Sequence, residues 1–160
     1  VSSIAQNEII VPVSQALIDD GDGLRSKIDK IEQEIAKLPQ IEMVTNHHFA
    51  EGLYARELHI PAGTILTGKI HKTEHINIVS KGRIIVWTEA GMKEVSAPFT
   101  MVSYPGTKRV GYALEDTIWT TIHASNEKDL VKLEEQLIAK TYDEVQLTAQ
   151  QILQIKEASK

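Results

Sequence analysis

The stretch GKIHKTEHINIVSKG, residues 68–82, carries two histidines, His71 and His75, four positions apart. Imidazole is a metal ligand when neutral, and it is equally a hydrogen-bonding group for an anion. The chain contains no cysteine, so disulfides and thiolate sites are excluded and any bound metal must rest on His, Asp or Glu. A spacing of four puts two side chains on one face of a helix and also on one face of a strand, so spacing does not choose. Composition does: Ile76, Ile78, Val79, Ile84, Ile85 and Val86 flank a Ser80-Lys81-Gly82 turn, the pattern of a β-hairpin. On its first strand Lys69, His71, Thr73, His75, Asn77 and Val79 share one face, and Ile70, Lys72, Glu74, Ile76, Ile78 and Ser80 the other. Hydrophobic alternation alone would bury the isoleucine face and leave the histidines in water.

The elements that must position these residues differ in texture along the chain. Residues 41–125 hold short runs rich in Val, Ile, Thr, Tyr and Trp, among them GLYARELHI, GRIIVWTEA, KRVGYAL and TIWTTIHA, separated by the turn signals PAG, SKG, EAGM, APF, PGT and ED. Strands at short, nearly regular spacing, with no helical period between them, predict an antiparallel sandwich or barrel. Upstream, residues 22–39 space Leu24, Ile28, Ile31, Ile35 and Leu38 as a narrow apolar stripe, with Asp22 as N-cap and Pro39 as stop. The stripe suits packing on its own domain and, by its coiled-coil spacing, a self-association seam. The segment before it reads as a short helix from Ser14. Downstream, NEKDLVKLEEQLIAK offers Asn126 as cap and Leu130, Leu133 and Leu137 as an apolar face, and a further helix follows with Thr141 and Glu144 in capping-box register. The chain thus divides into a helical extension at 1–40, a β-barrel at 41–125 and helices at 126–160.

A chain of 160 residues suits one core with helical extensions. With 22 acidic and 17 basic residues the net charge is −5, which provides no broad basic surface for a phosphate backbone. Nucleic acid is therefore not an expected partner. The N-terminal VSSIAQNEIIVPVSQ lacks the basic start and apolar run of a signal peptide, and no stretch approaches a membrane span, so a soluble cytoplasmic protein is expected.

The stretches PAGTILTGKIHKTEHINIVSKGRIIV and APFTMVSYPGTKRVGYALEDTIWTTIHA resemble the cupin superfamily, small double-stranded β-helix (jelly-roll) barrels with two short motifs around an internal metal. The resemblance covers residues 45–124 and implies a mainly β, cupin-like barrel with an N-terminal helix and C-terminal helices. In the first motif His71 matches the second family histidine, His75 stands where glutamate is expected, Gly82 is the closing glycine, and Lys69 occupies the first histidine position. In the second, Pro105 and Gly106 are kept and Arg109 replaces the last ligand. The whole chain is also similar to uncharacterised cupin-like proteins of tailed bacteriophages, which implies a location in the host cytoplasm or the virion. In this frame the face carrying Lys69, His71, His75 and Asn77 lines the barrel, and the isoleucines must be covered by helices or a second subunit.

The aligned positions supply two imidazoles and two cations, and cations beside a divalent ion oppose its binding unless an anion joins them. No metal cofactor is favoured on that ground. If a divalent ion is held, His71, His75 and His123 are its ligands, with His59 as a further candidate. The preferred reading is an oligomer, joined through the 22–38 helix and the outer strand face, that binds a small carboxylate, phosphate or nucleotide-like anion. Lys69 and Arg109 would supply charge, His71, His75 and Asn77 hydrogen bonds, and Tyr112 and Trp119, with Tyr104 and Trp87, a stacking wall. If buried, Lys69 and Arg109 require an acid, either the ligand or one of Glu57, Glu115 and Asp116. Two alternatives remain: a virion or assembly component using the barrel as scaffold, and a metal-dependent isomerase or dioxygenase. The adjacent His47 and His48 point to opposite sides of a strand and are expected at the surface.

Overall fold

The β-branched runs pair as their turns direct, and every pairing is antiparallel. The structure, a computed structural model, describes residues 3–5, 24–88, 91–141 and 144–145. In chain order the elements are β1 Ser3–Ala5, α1 Leu24–Ala36, β2 Thr45–Ala50, β3 Leu53–Ile60, β4 Thr64–Thr67, β5 Ile70–His71, β6 His75–Lys81 and β7 Arg83–Thr88. They continue as β8 Gly91–Ser96, β9 Phe99–Ser103, β10 Val110–Ala113, β11 Thr117–Ala124, α2 Leu130–Leu137 and β12 Ile138–Ala139. One five-stranded sheet has the order β1-β4-β10-β7-β8 and the other β2-β3-β11-β6-β9, while β5 and β12 form a small third sheet. This is the expected mainly β jelly roll, with two helices among the described residues.

The two large sheets face each other over a core of Leu58, Ile60, Leu66, Val79, Ile84, Val86, Val95 and Ala113. Strand alternation sends neighbouring residues to opposite sides. On β6, His75, Asn77 and Val79 are buried whereas Ile76 is 42% exposed, so the polar side of this strand faces the barrel. Ile76 and Val102 stand exposed on the outer face, and no described element covers them. The strand expected over residues 69–80 is interrupted: β5 ends at His71 and β6 begins at His75, with a bend across residues 72–74. Gly82 closes the β6–β7 hairpin at φ +82°, where an added Cβ would lie 2.3 Å from the Asp116 carbonyl oxygen. Only glycine satisfies both the dihedral and the approach.

The apolar stripe of α1 is consumed inside the chain. Ile28, Ile31 and Ile35 are buried against Ile65, Trp87, Val110 and Tyr112 on the outer side of the first sheet. The apolar area of that stripe is thus covered by this protein's own strands. Lys108 fastens the same contact: its ammonium, 9% exposed, bonds to Asp29 at 3.1 Å and to Glu32. Burial alone would lower the Lys108 pKa, but the hydrogen bonds to Glu32 and Asp29 outweigh it and raise the value. At the other end α2 is capped by Asp129, whose carboxylate accepts from the Val131 and Lys132 amides at 3.0 and 3.1 Å. Asn126, the expected cap, instead accepts from the Gly52 amide at 2.7 Å. The helix expected from Ser14, its neighbour Asp22 and the helix running on from Thr141 lie outside the described residues.

Two stability outcomes follow from these contacts. Ile31→Ala should lower unfolding free energy in urea by about 2–4 kcal/mol, since truncating a buried isoleucine leaves a cavity. Gly82→Ala should destabilise by more than the ~1 kcal/mol of an ordinary Gly-to-Ala change, because Asp116 and Thr117 must move aside.

Candidate metal centre

Three strands bring three imidazoles to one point. His75 begins β6, His71 ends β5, and His123 lies near the end of β11, whose inward set is Thr117, Trp119, Thr121 and His123. The sequence left that face open, and pairing of Trp119 with Val79 and of Thr121 with Asn77 decides it. The ring centroids lie 4.2 Å apart for His71–His75, 5.0 Å for His71–His123 and 4.8 Å for His75–His123. One ligand nitrogen from each ring falls within 4.8 Å of the others.

The backbone fixes how these rings are presented. The Nδ1 of His75 lies 2.9 Å from the Thr73 carbonyl oxygen, which can only accept, so Nδ1 carries the proton and Nε2 holds the lone pair. A ring nitrogen bonded to a backbone carbonyl is the usual support of a metal-ligating histidine. The Gly106 amide of the PGT turn donates to the His71 carbonyl at 2.8 Å, and His71 pairs with Ile138 of β12. His123 stacks on Tyr54 at 6.4 Å, and the Tyr54 hydroxyl meets His47 Nδ1 at 2.7 Å. Yet His71 Nδ1, His75 Nε2 and His123 Nδ1 are buried without a hydrogen-bond partner. Such orphaned polar atoms are costly unless something joins them.

Electrostatics keep the cluster neutral. Burial, followed by the neighbouring His75 and His123, pushes the His71 pKa down to about 2. Burial, then His75, takes His123 to about 4, and burial lowers His75 as well. All three are unprotonated at neutral pH and available as ligands. Neutral imidazoles suit a first-row divalent ion such as zinc, iron, nickel or copper. Such an ion binds nitrogen at about 2.0–2.1 Å. The donor set fits a metal.

Around the cluster lies a cavity of about 410 Å³. Of the residues expected to bind a ligand, Lys69, His71, His75, Asn77, Arg109 and Trp119 line it. Tyr112 does not: it packs outward with Trp87 under α1, because β10 and β7 present those positions to the helix. His59 also points away, its Nε2 lying 2.6 Å from Glu57 on the outer surface. None of the proposed internal acids reaches the cavity cations. Glu57 meets His48 and His59, Glu115 meets Arg83, and Asp116 accepts the Ala62 amide. Lys69 pairs instead with Glu134 of α2 at the mouth. Arg109 donates to Ser103 Oγ at 2.7 Å, Asn77 donates to the same oxygen at 2.6 Å, and Trp119 Nε1 donates to Asn77 Oδ1 at 2.9 Å.

Sequence reading missed Arg56, which lines the cavity from β3, and Tyr54 beside it. The signal was present: Tyr54, Arg56, Leu58 and Ile60 alternate in GLYARELHI, and the apolar pair sends the whole set inward. It missed His47 as well, which reaches the mouth of the cavity while His48 faces out to Glu57.

The strand order gives the architecture. The chain has a cupin-like jelly-roll fold. No protein-family model and no curated protein matches the sequence. Among solved structures it is similar to KdgF from Halomonas sp., at 18% identity over 57% of this chain and 86% of that one, with a TM-score of 0.47. It is similar also to a cupin domain from Bordetella pertussis Tohama I, at 12% identity over 55% and 98% of the two chains, TM-score 0.44. A cupin-2 domain containing protein from Shewanella frigidimarina gives 12% identity over 64% and 100%, TM-score 0.44. The likeness is one of architecture, and the fold assignment rests on the strand order. No described helix is long and apolar enough to cross a membrane.

The depressed histidine pKa values set a stability profile for the metal-free protein. Unfolding restores an ordinary value of 6.5, so between that pH and about 4 for His123, or about 2 for His71, the unfolded chain binds more protons. Stability from these groups is complete above pH 6.5 and declines as pH falls through the window. Thermal unfolding followed by circular dichroism should show a Tm that drops from neutral pH towards pH 4, with a shallower slope in His123→Gln.

Proposed function

We propose that this cupin-like barrel holds a divalent transition metal on His71, His75 and His123 and uses it to bind a small anionic oxygen ligand. The observation that supports this most strongly is the convergence of three neutral imidazoles, each with one buried nitrogen that has no partner. This reverses the order drawn from sequence, in which no metal was favoured. That order set the two imidazoles of the family's first motif against the cations Lys69 and Arg109, with His123 as a third ligand only if an ion is held. Lys69 is neutralised by Glu134, and His123 supplies a third imidazole from outside both motifs.

Held by His71, His75 and His123, a divalent ion would supply Lewis acidity toward an oxygen donor. The chain's own residues provide the rest. Arg109 brings positive charge beside the histidines, and burial lowers its pKa only to about 10, so it stays protonated at neutral pH. A metal and a guanidinium in one cavity repel each other unless an anion lies between them, which makes the anionic ligand a requirement of the site. The Asn77–Ser103 pair holds Arg109 in place, and α2 screens the mouth through Leu133, Leu137 and the Lys69–Glu134 bond. Among the described residues Glu134 is the one carboxylate lining the cavity, and it is tied to Lys69. Binding groups are thus more evident here than proton-transfer groups.

Elemental analysis of protein purified without chelator should find about one equivalent of a single first-row metal per chain, the number one three-ligand site can hold. His75→Ala and His123→Ala should lose it, and restoring the metal to chelator-treated protein should raise the Tm. Wild-type protein that stays metal-free and shows no Tm change with manganese, iron, nickel or zinc would remove this reading.

A further inference from the structure

Two arginines enter the cavity, and neither meets a carboxylate among the described residues. Arg56 comes from β3, directly opposite Thr121 of β11, and makes no hydrogen bond or ion pair among the described residues. Arg109 comes from the segment before β10 and, among the described residues, bonds to Ser103 alone, while its Nε is buried with no acceptor there. Both guanidiniums add to the lowering of the His71 pKa, which places both within electrostatic reach of the histidine cluster. Burial is the leading influence on each arginine, and it lowers both pKa values. Glu134 acts on Arg56 through its field but bonds to Lys69.

A half-buried guanidinium without a counter-ion carries a desolvation cost, and two in one cavity repel each other as well. A single carboxylate would neutralise one of them. We propose that the cavity takes a small dicarboxylate, with one carboxylate on Arg109 and the other on Arg56. Each guanidinium offers a planar fork that matches one carboxylate, as it would one phosphate, and the cavity's lysine is already paired. The volume of about 410 Å³ stands at the small end of ligand cavities, which run from about 300 to 1,000 Å³, and so favours a short-chain diacid over a nucleotide. Trp119 bounds the site without competing for the acid, because its N–H is engaged by Asn77. The inference rests on the metal reading only for the third contact, from the ligand to the ion, and the arginine pair exists without it.

Calorimetric titration of the full chain with malonate, succinate and glutarate, against acetate and inorganic phosphate, tests this in the as-purified and chelator-treated protein. At least one diacid should bind about tenfold or more tightly than acetate, the scale of one added charge-assisted pair. Arg56→Gln and Arg109→Gln should each bring that diacid down to the acetate level while metal content and the circular dichroism melt are retained. If either variant fails to fold, Arg56→Lys and Arg109→Lys keep the charge, lose the fork and should weaken the diacid selectively. Diacids no tighter than acetate, phosphate tighter than every diacid, or arginine variants that bind like the wild type would overturn the proposal. Arginine-dependent diacid binding in a protein that never takes up metal would instead sustain the proposal and sink the metal reading.

Discussion

The inward setting of β6 is held by polar bonds, and the rest of the site depends on it. Asn77 gives its amide hydrogen to Ser103 and takes one from Trp119, tying β6 to β9 on one side and β11 on the other. With Asn77 locked inside, period-two alternation carries His75 and Val79 inside as well, and leaves Ile76 facing solvent. A slip of one residue would exchange the histidine for an isoleucine, bury more apolar surface and destroy the cavity. The strand therefore keeps an arrangement that hydrophobicity alone would not select, a local conflict of the kind found at functional positions.

From this setting the electrostatics of the barrel follow. Three imidazoles packed out of water cannot carry protons at neutral pH, and two arginines in the same space cannot discard theirs. Neutral donors beside fixed positive charge form a poor site for a bare cation and a good one for a cation that arrives with, or retains, an anionic ligand. By motif position Lys69 joins the arginines, but the α2 carboxylate Glu134 cancels it at the rim. The helix that closes the cavity thus also trims its charge, and the β5–β12 pairing ties the same segment to the strand that carries His71.

The architecture was legible in the sequence because turns and β-branched runs are local signals: the hairpin at Gly82, the break at Pro39 and the helical stripe of α1 each depend on a few neighbouring residues. The motif frame also placed His71 and His75 on the lumen face. What stayed hidden was non-local. Whether His123 or Ile122 points inward is set by the register of β11 against β6, and the sequence of TIWTTIHA is ambiguous on both faces. Tyr112 is an aromatic near the same strands and suits a stacking wall on that ground, but β10 alternates and α1 claims its outer side. Arg56 went unnoticed because a charged residue between apolar ones reads as solvent-facing until its strand is known to be buried on that side.

The central claim is that His71, His75 and His123 converge on one ion. Anomalous diffraction from crystals of the protein grown with a first-row divalent metal tests it most directly. The account requires a single strong peak bonded to one nitrogen of each of these three histidines, at about 2.0–2.2 Å. A map with no peak among the three rings, or one in which β6 turns His75 and Asn77 out into solvent, would contradict it.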